Sequence, residues 1–150
     1  MQKLLTLSEI KVSYHPVLTT NPFVLFSLDA YVIFKDFFPI ETIGLQESFV
    51  VMYLNRARRV LGVYPICTGG ITSTVADLRL ILSVALKTAA TAIMLAHNHP
   101  SGSFQPSLHD KDLTRKEKLA AQLMEISVMD HIILSRTDGE YYSFADEGLI

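Results

Sequence analysis

Leu78, Ile81, Leu82, Ala85, Leu86 and Ala89 recur at the spacing of one stripe on an α-helix. Thr74-Val75-Ala76-Asp77 just ahead reads as a capping-box start, and Gly69-Gly70 punctuates the connection into it. Two β-rich runs precede this helix, residues 48–54 and 59–66, and they flank Asn55-Arg56-Ala57-Arg58 as a hairpin. Both faces of these runs are largely apolar, which predicts a central sheet covered on both sides. Residues 90–96 form a short apolar run with the length of a buried strand. Residues 107–125, charged early and apolar late, predict a helix opened by Ser107. A further strand is expected over 128–134, a hairpin turn at Asp138-Gly139, and a last strand over 141–144. Nearer the start, residues 8–14 alternate and predict an edge strand, and 15–22 read as a connector. Residues 29–38 predict a first helix, with Ser27 or Asp29 near its cap and Pro39 as its stop. The order β-β-α-β-α-β-β from residue 48 onward predicts a three-layer α/β domain with a mixed sheet and flanking helices.

Composition narrows the class. A chain of 150 residues with 49% apolar residues suits a single domain with a sizeable core. No apolar run approaches the ~18 residues of a membrane span. Thr6, Ser8 and Glu9 interrupt the N-terminus too early for a signal-peptide core. Cys67 is the one cysteine and cannot make an internal disulfide, so it reads as a small buried hydrophobe in a cytoplasmic protein. The net charge of -2 gives no global attraction to phosphate backbones. Arg56, Arg58 and Arg59 read as a solvated turn, because no aromatics interleave with them as base stacking would need.

The candidate chemistry lies in His97-Asn98-His99-Pro100-Ser101-Gly102 and the Ser107-Leu108-His109-Asp110 that follows. Alternation along the preceding strand projects His97 and His99 to the same side. Pro100 and Gly102 then turn the chain, and Asp110 falls in the first turn of the next helix, within reach of both imidazoles. Two histidines and one aspartate leave a fourth position for water, the open arrangement of a catalytic zinc, one ion per chain. The plainer reading of Ser107 and Asp110 is an N-cap pair with the acid favoured by the helix dipole. His15 reads as a loop histidine, and His131, mid-strand, as a satisfied core histidine. A zinc-activated water needs a base, and Glu47, at the mouth of the first hairpin strand, is either that base or an exposed strand-start residue. Glu41 is the competing candidate. Ser107 is either helix cap or oxyanion donor.

Glu47, His97-Asn98-His99-Pro100-Ser101-Gly102 and Ser107-x-x-Asp110 together resemble the JAMM (MPN-plus) metalloprotease motif. Asn98, the Pro-Ser-Gly wording, 130–133 (Asp-His-Ile-Ile) and 141–149 (Tyr-Tyr-Ser-Phe-Ala-Asp-Glu-Gly-Leu) resemble the RadC branch in particular. The resemblance implies a cytidine-deaminase-like JAB/MPN fold, with His97, His99 and Asp110 binding Zn²⁺. It implies Glu47 as general base and later proton donor, with Ser107 stabilising the tetrahedral intermediate. The implied reaction is hydrolysis of a peptide or isopeptide-like amide in a protein or peptide substrate. Longer RadC proteins carry an N-terminal helical region that resembles DNA-binding modules. Residues 1–46 are too short and too apolar for one, so they read as an extension packing on a motif-bearing core at 47–150.

Other readings are weaker. A zinc deaminase needs His-x-Glu with a Pro-Cys-x-x-Cys pair, which a single cysteine cannot supply. The His-Asn-His spelling is not the wider ββα unit of the nucleases named for those letters. The serious rival is a non-catalytic binding module associated with DNA repair or recombination that keeps the fold and the metal site. No membrane partner is expected, and a homo-oligomer is compatible with the sequence.

Overall fold

The computed structural model describes residues 8–17, 21–69 and 76–150. Its centre is a five-stranded mixed sheet in the order β2-β1-β3-β4-β5. β1 (Ser48–Leu54) and β2 (Val60–Thr68) form the expected hairpin, and β3 (Ala92–Asn98) pairs antiparallel to β1 on its other side. β4 (Ser127–Leu134) runs parallel to β3, and the short β5 (Tyr141–Ser143) closes the edge antiparallel to β4. The parallel step β3–β4 needs a crossover, which α3 (Leu108–Leu123) supplies.

Alternation on the strands builds one core on each face. Val50, Met52 and Leu54 of β1, with Met94 and Ala96 of β3, pack against Ala30, Tyr31 and Phe34 of α1 (Ser27–Phe34). Phe49, Val51 and Tyr53, with Ile93 and Leu95, face Ile81 and Ala85 of α2 (Leu78–Lys87) and Ala121 of α3. This is the three-layer arrangement, with α1 on one face and α2 and α3 on the other. Among the described residues, no helix is long and apolar enough to cross a membrane.

Several elements depart from expectation. Residues 8–14 form no strand: Ile10 and Val12 are 88% and 74% exposed, so no surface buries the apolar half of the pattern, and Tyr14 holds to Leu61 only through its hydroxyl (2.8 Å to the carbonyl). β2 is an edge strand with half-exposed side chains rather than a covered one. The first helix starts earlier, capped at Phe26, with Asp29 accepting from the Phe26 and Leu25 N–H groups at 3.0 and 2.9 Å. It ends at Phe34 and tightens into a 3-10 turn over Lys35–Phe37 before Pro39. Asp77 itself caps α2, accepting from Arg79 N–H; Thr74 and Gly70 lie outside the described residues. The arginine-bearing turn is exposed, and Asn55 Oδ1 closes it by accepting from the Ala57 and Arg59 N–H groups.

Two buried carboxyls are handled differently. Asp130 on β4 accepts from the His131 N–H (2.7 Å), the Ala145 N–H (2.9 Å) and the Ser143 hydroxyl (2.6 Å), and so ties the C-terminal turn to the sheet. Glu117 on α3 is fully buried against Tyr53, and neither of its oxygens has a hydrogen-bond partner. Burial pushes its carboxyl up from 4.5 to about 7. The native state therefore holds a proton where the unfolded chain has lost it. Stability from this group is greatest below the unfolded value and falls as pH rises between 4.5 and about 7. Above that window the cost is about 3 kcal/mol, at ~1.4 kcal/mol per unit. Glu117→Leu is therefore expected to stabilise the protein by about 3 kcal/mol at pH 8 and by much less at pH 5. Urea titrations at the two pH values check this, and equal gains at both would contradict it.

Candidate metal centre

Three features of the chain bring the ligands together. β3 carries His97 on its last turn of pleat, and His99 follows one residue beyond the strand on the same side. Pro100 stops the ladder, and Gly102 turns the chain with a φ of +85°, a conformation that favours glycine, while its N–H closes on the His99 carbonyl at 2.9 Å. Ser107 then caps α3, its hydroxyl accepting from the Asp110 N–H at 3.1 Å. In return, Asp110 Oδ2 accepts from both the Ser107 N–H and the Ser107 hydroxyl, each at 2.7 Å. The capping pair and the ligand are thus one device: the cap aims the carboxylate.

The result is convergence. His97 Nε2 and His99 Nε2 stand 2.9 Å apart, and Asp110 Oδ1 and Oδ2 lie 3.2 and 3.3 Å from them. Ligands of a tetrahedral ion at about 2.1 Å stand roughly 3.4 Å from one another, so the spacing suits one small divalent ion. Among the described residues, these three form the group of acidic, histidine or cysteine side chains that could hold a metal. His97 and Asp110 are buried, and His99 is partly open, which leaves one approach from solvent.

Hydrogen bonding behind the ligands tests the fit. His99 Nδ1 lies 2.8 Å from the Ser103 carbonyl, which only accepts, so the proton sits on Nδ1 and Nε2 presents a lone pair. His97 Nδ1 is occupied at 2.8 Å by His131 Nε2. Two imidazole nitrogens and a carboxylate aimed at one point repel unless a cation, or a shared proton, stands between them. Burial raises the Asp110 carboxyl, but the two imidazoles and the Ser107 hydroxyl outweigh it and hold Asp110 well below the usual carboxylate range. The Asp110 carboxylate, against the partial burial of the ring, and then the Ser103 carbonyl and Glu47 hold the proton affinity of His99 above its ordinary value. The donor set, two imidazoles and a carboxylate, fits a borderline divalent cation such as zinc.

Glu47 enters from β1. Phe49 pairs with His97 at the end of the antiparallel ladder, and Glu47 lies two residues before it, its carbonyl accepting from the Gly69 N–H at 2.7 Å. Its charge is felt at His99, and at Cys67, whose thiol is pushed up mainly by burial and then by Glu47. Asn98 anchors this approach. Its side chain points away from the ligands, accepts from the Ser48 N–H (2.9 Å), and donates to the Ile43 and Gln46 carbonyls (2.7 and 2.9 Å). One buried amide therefore fixes the backbone on both sides of Glu47. Glu41 lies on the exposed loop so anchored and lines a cleft of about 730 Å³ with Gly102, Phe104 and Arg136. His15 and His109 are exposed and stand outside the cluster. His131 is buried and bonded through both ring nitrogens, to His97 and to Thr114 Oγ1.

Sequence patterns singled out Glu47, His97, His99, Ser107 and Asp110. They gave no role to Asn98, which acts through backbone groups, or to Thr114, which bonds the Asp110 carbonyl and the His131 ring. The signal for Thr114 was its place one helical turn after Asp110, on the same face of α3.

Residues 26–149 match the RadC-like JAB domain family. The chain is 41% identical to a UPF0758 protein of Flavobacterium johnsoniae over 69% of its own length and 44% of that protein's. It is 40% identical to a UPF0758 protein of Porphyromonas gingivalis over 81% of its length and 53% of the relative's. It is 38% identical to the UPF0758 protein YfjY of Escherichia coli over 77% of its length and 72% of the relative's. The chain thus spans about half the length of the first two relatives. A family match over most of the chain, joined to a mixed sheet that carries a His-His-Asp cluster at the end of its central strand, means that the chain belongs to the RadC-like JAB domain family.

Proposed function

We propose that this domain is a zinc-dependent hydrolase of the JAMM type that cleaves a peptide or isopeptide-like amide. The convergence of His97, His99 and Asp110 on one point, with Glu47 near enough for its charge to act on His99, carries this reading. When bound, a divalent ion supplies Lewis-acid polarisation of a carbonyl and a water acidified to near-neutral pKa. The remaining work falls to the chain. Glu47 takes the proton from the attacking water and returns it to the departing nitrogen. Ser107 donates to the developing oxyanion, for which its hydroxyl must turn from Asp110 Oδ2; the Ser107 N–H on the same oxygen keeps the carboxylate in place meanwhile. The apolar walls of Phe49 and Phe144 behind the histidines keep water from the rear of the site.

The test is direct. Zinc-loaded protein is incubated with a peptide library and with lysine-linked isopeptides, and new amines are counted by mass spectrometry. Cleavage that a chelator abolishes and zinc restores is expected. A fully zinc-loaded protein that cleaves neither class would remove the hydrolase reading and leave a metal-bearing binding module.

A further inference from the structure

We propose that Thr114 and His131 are positioning residues that hold His97 in its metal-binding tautomer and join it through a buried relay to Asp110. The direction of each hydrogen bond follows from proton counting. Thr114 Oγ1 lies 2.6 Å from the Asp110 backbone carbonyl, an oxygen that only accepts, so the single hydroxyl proton is spent there. The same Oγ1 lies 2.6 Å from His131 Nδ1 and must therefore accept from it. His131 is wholly buried and its two ring nitrogens meet only a hydroxyl and an imidazole, and no carboxylate that would offset a charge, so the ring carries one proton, and with that proton on Nδ1 the Nε2 is bare. Bare Nε2, 2.8 Å away, accepts from His97 Nδ1–H. His97 then turns a lone pair on Nε2 toward His99 and Asp110. The relay begins and ends on two members of the ligand set: it leaves the ring of His97 and closes on the backbone of Asp110.

Packing holds the relay still. The His131 ring stacks on Phe144 at 4.7 Å between centroids and meets the edge of Phe49 at 5.6 Å, which fixes its plane. Without the Thr114 hydroxyl, the Nδ1–H of His131 has no acceptor. The other tautomer then becomes competitive, with Nε2–H aimed at His97. That proton forces His97 to carry its own on Nε2, where the ion would bind. The inference rests on the metal reading of the site and is independent of hydrolysis.

The test uses Thr114→Val, which keeps the branched shape without the hydroxyl, and Thr114→Ser, which restores it. Zinc affinity is measured by competition with a chelating dye, and unfolding of the metal-free proteins is followed in parallel. The valine variant is expected to bind zinc 10- to 100-fold more weakly, the range for loss of an outer-shell partner. The serine variant should return to within a few-fold of the parent. Long-range ¹H–¹⁵N spectra of the parent should show His131 protonated at Nδ1 and bare at Nε2, a reading that needs no variant to fold. Zinc binding by the valine variant equal to the parent's, or a parent His131 protonated at Nε2, would overturn the proposal alone. A parent that takes up no zinc would overturn the metal reading and the relay together.

Discussion

The double variant His97→Ala, His99→Ala is expected to lose its zinc, from about one ion per chain to a trace, while the domain stays folded. Removing one outer-shell partner of a metal ligand costs ~10- to 100-fold in affinity, and this variant removes two of three direct donors. Asp110 alone then faces the point where the ion stood, and a lone carboxylate does not retain a divalent ion at micromolar concentrations. The scaffold should survive, because the strand that carries His97 is held by β1 and β4 through Ile93 and Leu95, not by the imidazoles. Metal content by atomic emission, read beside circular dichroism, checks both halves. A folded variant with a full complement of zinc would show that the histidines are not the ligands.

Glu47→Gln is expected to separate metal binding from turnover. The substitution keeps size and removes the basic oxygen. Glu47 is not a member of the His97, His99 and Asp110 donor group, so zinc content should remain at the parent's level. A positioned general base contributes ~10²- to 10⁴-fold, so kcat should fall by that factor, about 3–5 kcal/mol in the barrier. Steady-state kinetics on whichever amide substrate the library yields, paired with metal analysis of the same sample, provide the reading. Zinc lost together with activity would move Glu47 among the ligands. Activity retained would return the base assignment to Glu41, although that residue lines the neighbouring cleft.

Much of this arrangement was legible in the residues, for physical reasons that differ by element. β1, β3 and α2 were readable because each is long and buries its apolar side chains almost completely or along one stripe. The three candidate ligands were readable because a period of two, a Pro/Gly turn and a helix start fix their relation locally, within fourteen positions. Residues 8–14 misled because alternation alone does not say whether a partner strand or a covering helix exists, and here Ile10 and Val12 face solvent. The start of α1 was placed two residues late because its cap uses the backbone of Phe26 and the Asp29 carboxylate at the third helical position, so that Ser27 lies inside the helix rather than capping it. The plain reading of Ser107 holds: it caps α3, and the cap hydrogen bonds are the ones that aim Asp110. His131 is a satisfied core histidine, as its mid-strand place suggests; what a linear pattern could not show is that one of the groups satisfying it belongs to the candidate metal cluster. Glu117 gave no warning either, since a glutamate in the charged half of a helix ordinarily faces water.

X-ray absorption at the zinc edge on the parent protein tests the centre most directly. Two imidazole nitrogens and at least one carboxylate oxygen are expected at about 2.0–2.2 Å, with a further light-atom ligand from solvent. A sulfur at about 2.3 Å, which Cys67 alone could supply, or a shell with no imidazole scattering, would contradict this ligand set.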